Sequence, residues 1–311
     1  MAWELWRGLA RGLSMAGFYG VFGTACLSAT LLRGQPVRLG RLIALSLGLA
    51  LLASAAWFLL QTQDFASATN WPDELAALPI VANDTRFGLL TLGRCTALLA
   101  AAALWCLSAR RAACLVGLAA VAAESWLGHG GSMSGTVGAV LLVTSLAHLA
   151  AGGVWLGALP AFALALRRLG DAEAAALARG FSPIGIACVV LLLITAGIQY
   201  VILIWRPGSL VTTAYGLAAS AKILGFAALI GIAAGNRAIA RRLPADPGRL
   251  RARIAIEIAL GLAVLIAAGL ITQFEPPTMA RMSLSSHPPG DLAQGLESRF
   301  GEQIALHQID A

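Results

Sequence analysis

Pro183-Ile-Gly-Ile-Ala-Cys-Val-Val-Leu-Leu-Leu-Ile-Thr-Ala-Gly-Ile-Gln-Tyr-Val-Ile-Leu-Ile-Trp205 runs from its proline to its tryptophan without a charged side chain. As a helix, a stretch of this length crosses a hydrocarbon core of roughly 30 Å, which takes about 20 residues. Lipid offers no hydrogen-bond partner, so the backbone must satisfy itself, and a helix does that within one segment. Outward from this segment the same reading recurs at 13–32, 41–61, 87–108, 112–128, 137–160, 214–235 and 254–273. These runs predict an all-α, polytopic membrane helical bundle of eight transmembrane helices. Composition agrees: 59% of residues are hydrophobic and 12% charged, against roughly 25% charged in soluble domains, and mean hydropathy is +0.79. Strand-like alternation between aromatic girdles is missing, which argues against an outer-membrane barrel.

The net charge of +7 reads as loop charge that orients helices, and nucleic acid is not expected as a partner. Arg33, Arg38 and Arg41, then Arg110 and Arg111, then Arg167, Arg168 and Arg179, then the arginines from Arg237 to Arg253 follow spans one, three, five and seven. The opposite side carries fewer, among them Arg7, Arg11, Arg86 and Arg206. The positive-inside rule places the first set in the cytoplasm and both termini in the periplasm. The chain then divides into an N-terminal four-helix half, 1–136, with an acidic outer loop at 61–86; a C-terminal four-helix half, 137–277; and a periplasmic tail, 278–311. The first span shows no convincing cleavage site and is expected to be retained. The five cysteines lie in or beside apolar runs and read as small packing residues, not as a disulfide framework.

Ionisable groups inside a bilayer are costly, so each marks a candidate site. Arg94, Glu124 and Lys222 fall in the same half of the membrane and form a candidate polar network, with Glu124 the carboxylate nearest Lys222 in depth. His148 lies near mid-membrane. His129 and Met133 follow span four at the outer surface, Met15 lies near the outer end of span one, and Met279, Met282 and His287 repeat the combination in the tail. Imidazole with thioether suits copper: the soft sulfur favours Cu(I), while imidazole accepts Cu(I) or Cu(II). Methionine is also an ordinary packing residue. A haem-binding electron-transfer protein needs facing histidine pairs, and the supply within spans is poor. No nucleophile-elbow, zincin or phosphate-loop motif is present, so an enzyme is not expected. Gly153 and Gly157 stand at helix-packing spacing.

The fifth span reads His148-Leu-Ala-Ala-Gly-Gly-Val-Trp155-Leu-Gly157-Ala-Leu159, similar to an H-L-x-A-x-x-x-W-x-G-x-L pattern. Arg179-Gly-Phe181-Ser182, Thr195-Ala-Gly197, Tyr215-Gly216 with Lys222 six residues on, Asn236-Arg237, Glu257 and Pro276-Pro277 follow it. In this combination the chain resembles the bacterial copper resistance protein D family over about 130 residues, His148 to Pro277. It departs from that family in having Gly130 after the Gly128-His129 pair and Thr144-Ser145 where an acidic residue can precede the histidine. The resemblance implies a multi-pass protein of the bacterial inner (plasma) membrane that moves copper, generally toward the cytoplasm, often with a small periplasmic copper-binding protein of the CopC type. It makes His148, His129 and Met133 the expected metal contacts, with Trp155 a possible lining residue. Membrane lipid and the copper ion are the other expected partners. A non-transporting scaffold or chaperone for oxidase copper-site assembly is the alternative.

Overall fold

The computed structural model describes residues 2–66, 70–128, 131, 133, 135–240 and 247–279. Its elements are α1 (Ala2–Ala29), α2 (Gly40–Ala66), α3 (Trp71–Asp84), α4 (Arg86–Cys106), α5 (Arg110–Ala122), α6 (Gly135–Arg168), α7 (Asp171–Leu203), α8 (Ser209–Thr212), α9 (Ala214–Ala240) and α10 (Pro247–Ile271). No strand occurs among the described residues, and the protein is an all-α polytopic membrane bundle. Among the described residues seven helices (α1, α2, α4, α6, α7, α9 and α10) are long and apolar enough to cross a membrane. The segment expected to be the fourth span is α5 continued by a 3-10 turn, Ala123–Trp126. Together they rise about 27 Å, close to the roughly 30 Å of a hydrocarbon core.

α1 is the central post. It packs against α2, α4, α5, α6 and α10, and Phe18, Val21, Phe22 and Ala25 along it are fully enclosed. Small residues permit the close approach. A Cβ on Gly12 would lie 2.6 Å from the Cα of Ile266 in α10, and one on Gly153 in α6 would lie 2.6 Å from the Phe22 ring. This is the packing that small residues provide where lipid tails are as apolar as the helices themselves. The bundle's outer face is correspondingly apolar: Leu45, Leu52, Leu89, Leu115, Ile194 and Leu224 are exposed.

Helix boundaries depart from the hydropathy reading in several places. α1 begins at Ala2, not residue 13, so Arg7 and Arg11 belong to a helix and not to a tail. The amphipathic turns before residue 13 lack the hydropathy of a span, yet tertiary packing extends the helix through them. The acidic segment at 61–86 contains α3, a 14-residue helix. Asn70 caps it by accepting from the Asp73 amide at 3.0 Å, with Pro72 in the first turn, where a missing N–H costs nothing. α6 and α7 extend well past the expected 137–160 and 183–205, so Arg167, Arg168 and Arg179 lie on helices rather than in a loop. Finally, α4 turns into α5 through Ser108, at φ 63°, with the Arg110 guanidinium 3.8 Å from the Trp105 ring centroid.

Of the tail 278–311, the described residues are Thr278 and Met279. Thr278 donates from Oγ1 to the Leu203 carbonyl at 3.0 Å, tying the segment after α10 to the end of α7.

Candidate functional site

The Glu124 carboxylate sits in the 3-10 turn between two guanidiniums. Arg11 of α1 donates from Nε to Oε1 at 2.7 Å, and its Nη2 reaches the Leu127 carbonyl at 3.2 Å. Arg94 of α4 pairs with Oε2 through Nη1. It also donates from Nε to the Ala120 carbonyl at 3.1 Å and from Nη2 to the Met15 sulfur at 3.5 Å. Only 2% of Arg94, 6% of Glu124 and 7% of Arg11 stays exposed. Aromatic faces complete the shell, with Arg94 4.4 Å from the Phe18 ring centroid and Arg11 4.7 Å from that of Trp57. A buried charge survives in such a place only when paired and hydrogen-bonded.

This network forms part of the wall of a cavity of about 280 Å³ enclosed by α1, α6, α7, α9 and α10 and the 3-10 turn. Arg11, Met15 and Tyr19 recur every fourth residue on one face of α1, and all three line it. His148 from α6 and Lys222 from α9 line it as well. Met15 is therefore not at a helix end but inside the core, 7% exposed. Lys222 makes no hydrogen bond or ion pair with any described residue; the depth match with Glu124 does not become a contact, because Glu124 is already held by Arg11 and Arg94.

The chemistry of the cavity is set by one hydrogen bond. His148 Nδ1 lies 2.9 Å from Thr195 Oγ1. The Thr195 hydroxyl donates its proton back along α7, to Leu191 O at 2.8 Å and Leu192 O at 3.2 Å. With its proton on those carbonyls the hydroxyl accepts from His148, an arrangement that puts the imidazole proton on Nδ1 and leaves the Nε2 lone pair. A histidine oriented through its other ring nitrogen is the arrangement used by metal ligands, where the outer partner fixes the tautomer and ring plane.

A second cavity, of about 230 Å³, lies nearer the arginine-rich end and is lined by Trp155, Phe162, Phe181, Asn236, Arg237 and Glu257 among others. Asn236 donates to Glu257 Oε2 at 2.7 Å and accepts from Arg253 Nε at 3.0 Å, tying α9 to α10. Trp155 lines this cavity and not the first. Its ring meets the edge of Phe226, which lines the first, at 6.2 Å between centroids. The aromatic pair thus stands between the two spaces.

His129, Met282 and His287 fall outside the described residues. Met133 and Met279 pack against the apolar cluster of Leu141, Leu203, Ile204, Tyr215 and Ala219. No group of three or more His, Cys, Asp or Glu side chains placed to hold a metal occurs among the described residues. The cysteines are free thiols, Cys106 exposed and Cys188 buried, and Cys26 and Cys114 touch across α1 and α5 at 2.6 Å. Sequence reasoning missed Arg11, whose signal is the Arg11-Met15-Tyr19 spacing, and the role of Thr195, which needs the α6–α7 register to be seen.

Residues 2–139 match a family model described as the N-terminal domain of copper resistance protein D-like proteins. Residues 175–271 match one described as copper resistance protein D. The chain is 27% identical over 239 residues to copper resistance protein D of Pseudomonas syringae pv. tomato, covering 73% of this chain and 76% of that protein. Arg11, Met15, Arg94 and Glu124 lie in the first matched range, Thr195, Lys222 and Glu257 in the second, and His148 between them. No solved structure matches.

Proposed function

The chain belongs to the copper resistance protein D family, and from that premise we propose that it carries copper across the bacterial inner membrane toward the cytoplasm, with His148 as the central contact for the ion. The observation that carries this reading is the His148–Thr195 hydrogen bond, which holds a neutral imidazole with Nε2 free at the wall of a membrane-embedded cavity. Neutral imidazole is a good ligand for either copper oxidation state, and the Met15 thioether on the same wall adds a soft donor suited to Cu(I).

The charge asymmetry of the chain supports eight spans with α5 as the fourth, both termini periplasmic, and the His148 cavity opening outward. Met133 then stands on the link between α5 and α6, in which His129 also falls in sequence, on the side where a periplasmic copper-binding partner would deliver its cargo. Copper passes from that mouth to His148, and through the Trp155–Phe226 contact to the second cavity. Sites of modest affinity in series suit conduction, since each must release as well as bind. The arginine–carboxylate network holds α1, α4 and α5 together behind the path.

The test is copper content of cells expressing the wild type or His148→Gln at equal protein levels. Glutamine keeps hydrogen bonding and bulk while removing the imidazole. Loss of the copper accumulated by the wild type supports the reading. Accumulation equal to wild type removes His148 from the path, and a wild type that changes cell copper not at all favours the scaffold alternative.

A further inference from the structure

The cavity around His148 is positively charged, which is the wrong sign for a bare copper ion. Arg11 and Lys222 both line it, and Arg94 lies directly behind Glu124. Among the described residues Glu124 is the sole carboxylate on the cavity wall, and it is already shared by two guanidiniums. The remaining ammonium, Lys222, is half-buried on the cavity wall with no hydrogen-bond or ion-pair partner among the described residues. One carboxylate against three cations leaves a net surplus of positive charge in a low-dielectric space. An ammonium facing a membrane-embedded cavity without a counter-charge is costly. A bare cation placed at His148 would add to that cost.

We propose that the cavity binds a small anion at Lys222 and Arg11, and that copper enters it as an anion-ligated complex. Resting on the copper reading for its cargo, this inference adds the form in which that cargo is taken. For cuprous copper with two halide ligands the step is a ligand exchange. The His148 Nε2 lone pair forms a nitrogen–copper bond, one copper–halide bond breaks, and the released halide, carrying the negative charge, stays beside Lys222. No electron or proton moves, and the neutral imidazole–copper–halide unit needs no further counter-charge. The ammonium gains the partner it lacks, and the metal gains the imidazole.

The experiment uses the purified full chain in detergent. Cu(I) affinity is measured by competition with a chromophoric Cu(I) chelator, in chloride and in methanesulfonate at equal ionic strength. Chloride complexes Cu(I) in solution and lowers free Cu(I) equally for protein and chelator, so with no anion site the partition between them is the same in both buffers. The expected result is binding about tenfold tighter in chloride, in the range of ordinary coupling between two bound species. Lys222→Met abolishes the chloride effect, and Lys222→Arg, which keeps the charge, retains it. Copper-free protein is read separately by chloride NMR line broadening, expected with the wild type and lost in Lys222→Met. Wild-type binding in chloride equal to or weaker than in methanesulfonate, together with no broadening, overturns the anion site. Absence of copper binding in both buffers overturns the copper reading instead, and the copper-free broadening then still decides the anion site.

Discussion

Replacing Glu124 by glutamine removes the one negative charge that two buried guanidiniums share, and its cost follows from that count. Arg11 and Arg94 both remain, 7% and 2% exposed, with no carboxylate between them. Breaking a buried pair by removing one partner costs about 3–5 kcal/mol, because the other charge stays behind without compensation. Arg94→Met is different in kind. It leaves Arg11 and Glu124 as a balanced pair at 2.7 Å and forfeits mainly the hydrogen bond to Ala120 O, a loss of about 1–3 kcal/mol. Removing the hub is therefore expected to cost about 2 kcal/mol more than removing either spoke. With a thermal shift of roughly 2 °C per kcal/mol for a chain of this size, Glu124→Gln lowers the melting temperature by about 6–10 °C and Arg94→Met by about 2–6 °C. The double variant falls short of the sum, since it relieves one of the two stranded charges. Thermal unfolding of the detergent-solubilised variants reads this ordering. An Arg94→Met protein as unstable as Glu124→Gln, or more so, refutes the shared-carboxylate arrangement.

Thr195→Val removes the acceptor that fixes the His148 tautomer and is expected to weaken copper binding about 10–100-fold while the fold survives; Thr195→Ser restores it. Equal affinity in the valine variant would show that the hydrogen bond does not orient the ligand. Gly12→Val drives a side chain into the α10 backbone at Ile266 and is expected to abolish accumulation of folded protein. Gly48→Ala, which meets nothing within 4 Å, is expected to be neutral or stabilising by up to about 1 kcal/mol; the reverse order in detergent-stable yield contradicts the α1–α10 contact. A periplasm-specific reporter fused after Pro277 and a cytoplasm-specific one placed in the segment 237–253 are both expected to be active, and the opposite pattern at both sites overturns the outward placement of the His148 cavity.

The bundle was legible because lipid imposes one rule on every segment, and a run such as 183–205 satisfies it visibly. What hydropathy hid was wherever tertiary packing extends a helix through polar sequence. α1 starts eleven residues before its apolar run, and the acidic stretch before α4 folds into α3 around the Asn70 cap. The intramembrane charges were legible one by one, since each of Arg94, Glu124, Lys222 and Glu257 stands out against apolar neighbours. Their partners were not, because depth alone cannot say which helices touch. Glu124 and Lys222 share a cavity without pairing, while Arg11, assigned to a tail, supplies the second guanidinium. The methionines, read as an outward-facing set, separate: Met15 is buried beside Arg94, whereas Met133 and Met279 belong to an apolar cluster. His148 was legible as a group too costly to sit there idle. The direction of its free lone pair depends on Thr195, 47 residues away, a distance no local pattern spans.

The central claim is that copper meets the Nε2 atom of His148, and X-ray absorption at the copper edge on copper-loaded, purified protein tests it most directly. The account predicts the outer-shell scattering of an imidazole ligand in the wild type and its loss, with a drop in bound copper, in His148→Gln. Imidazole scattering and copper content unchanged in His148→Gln would contradict it.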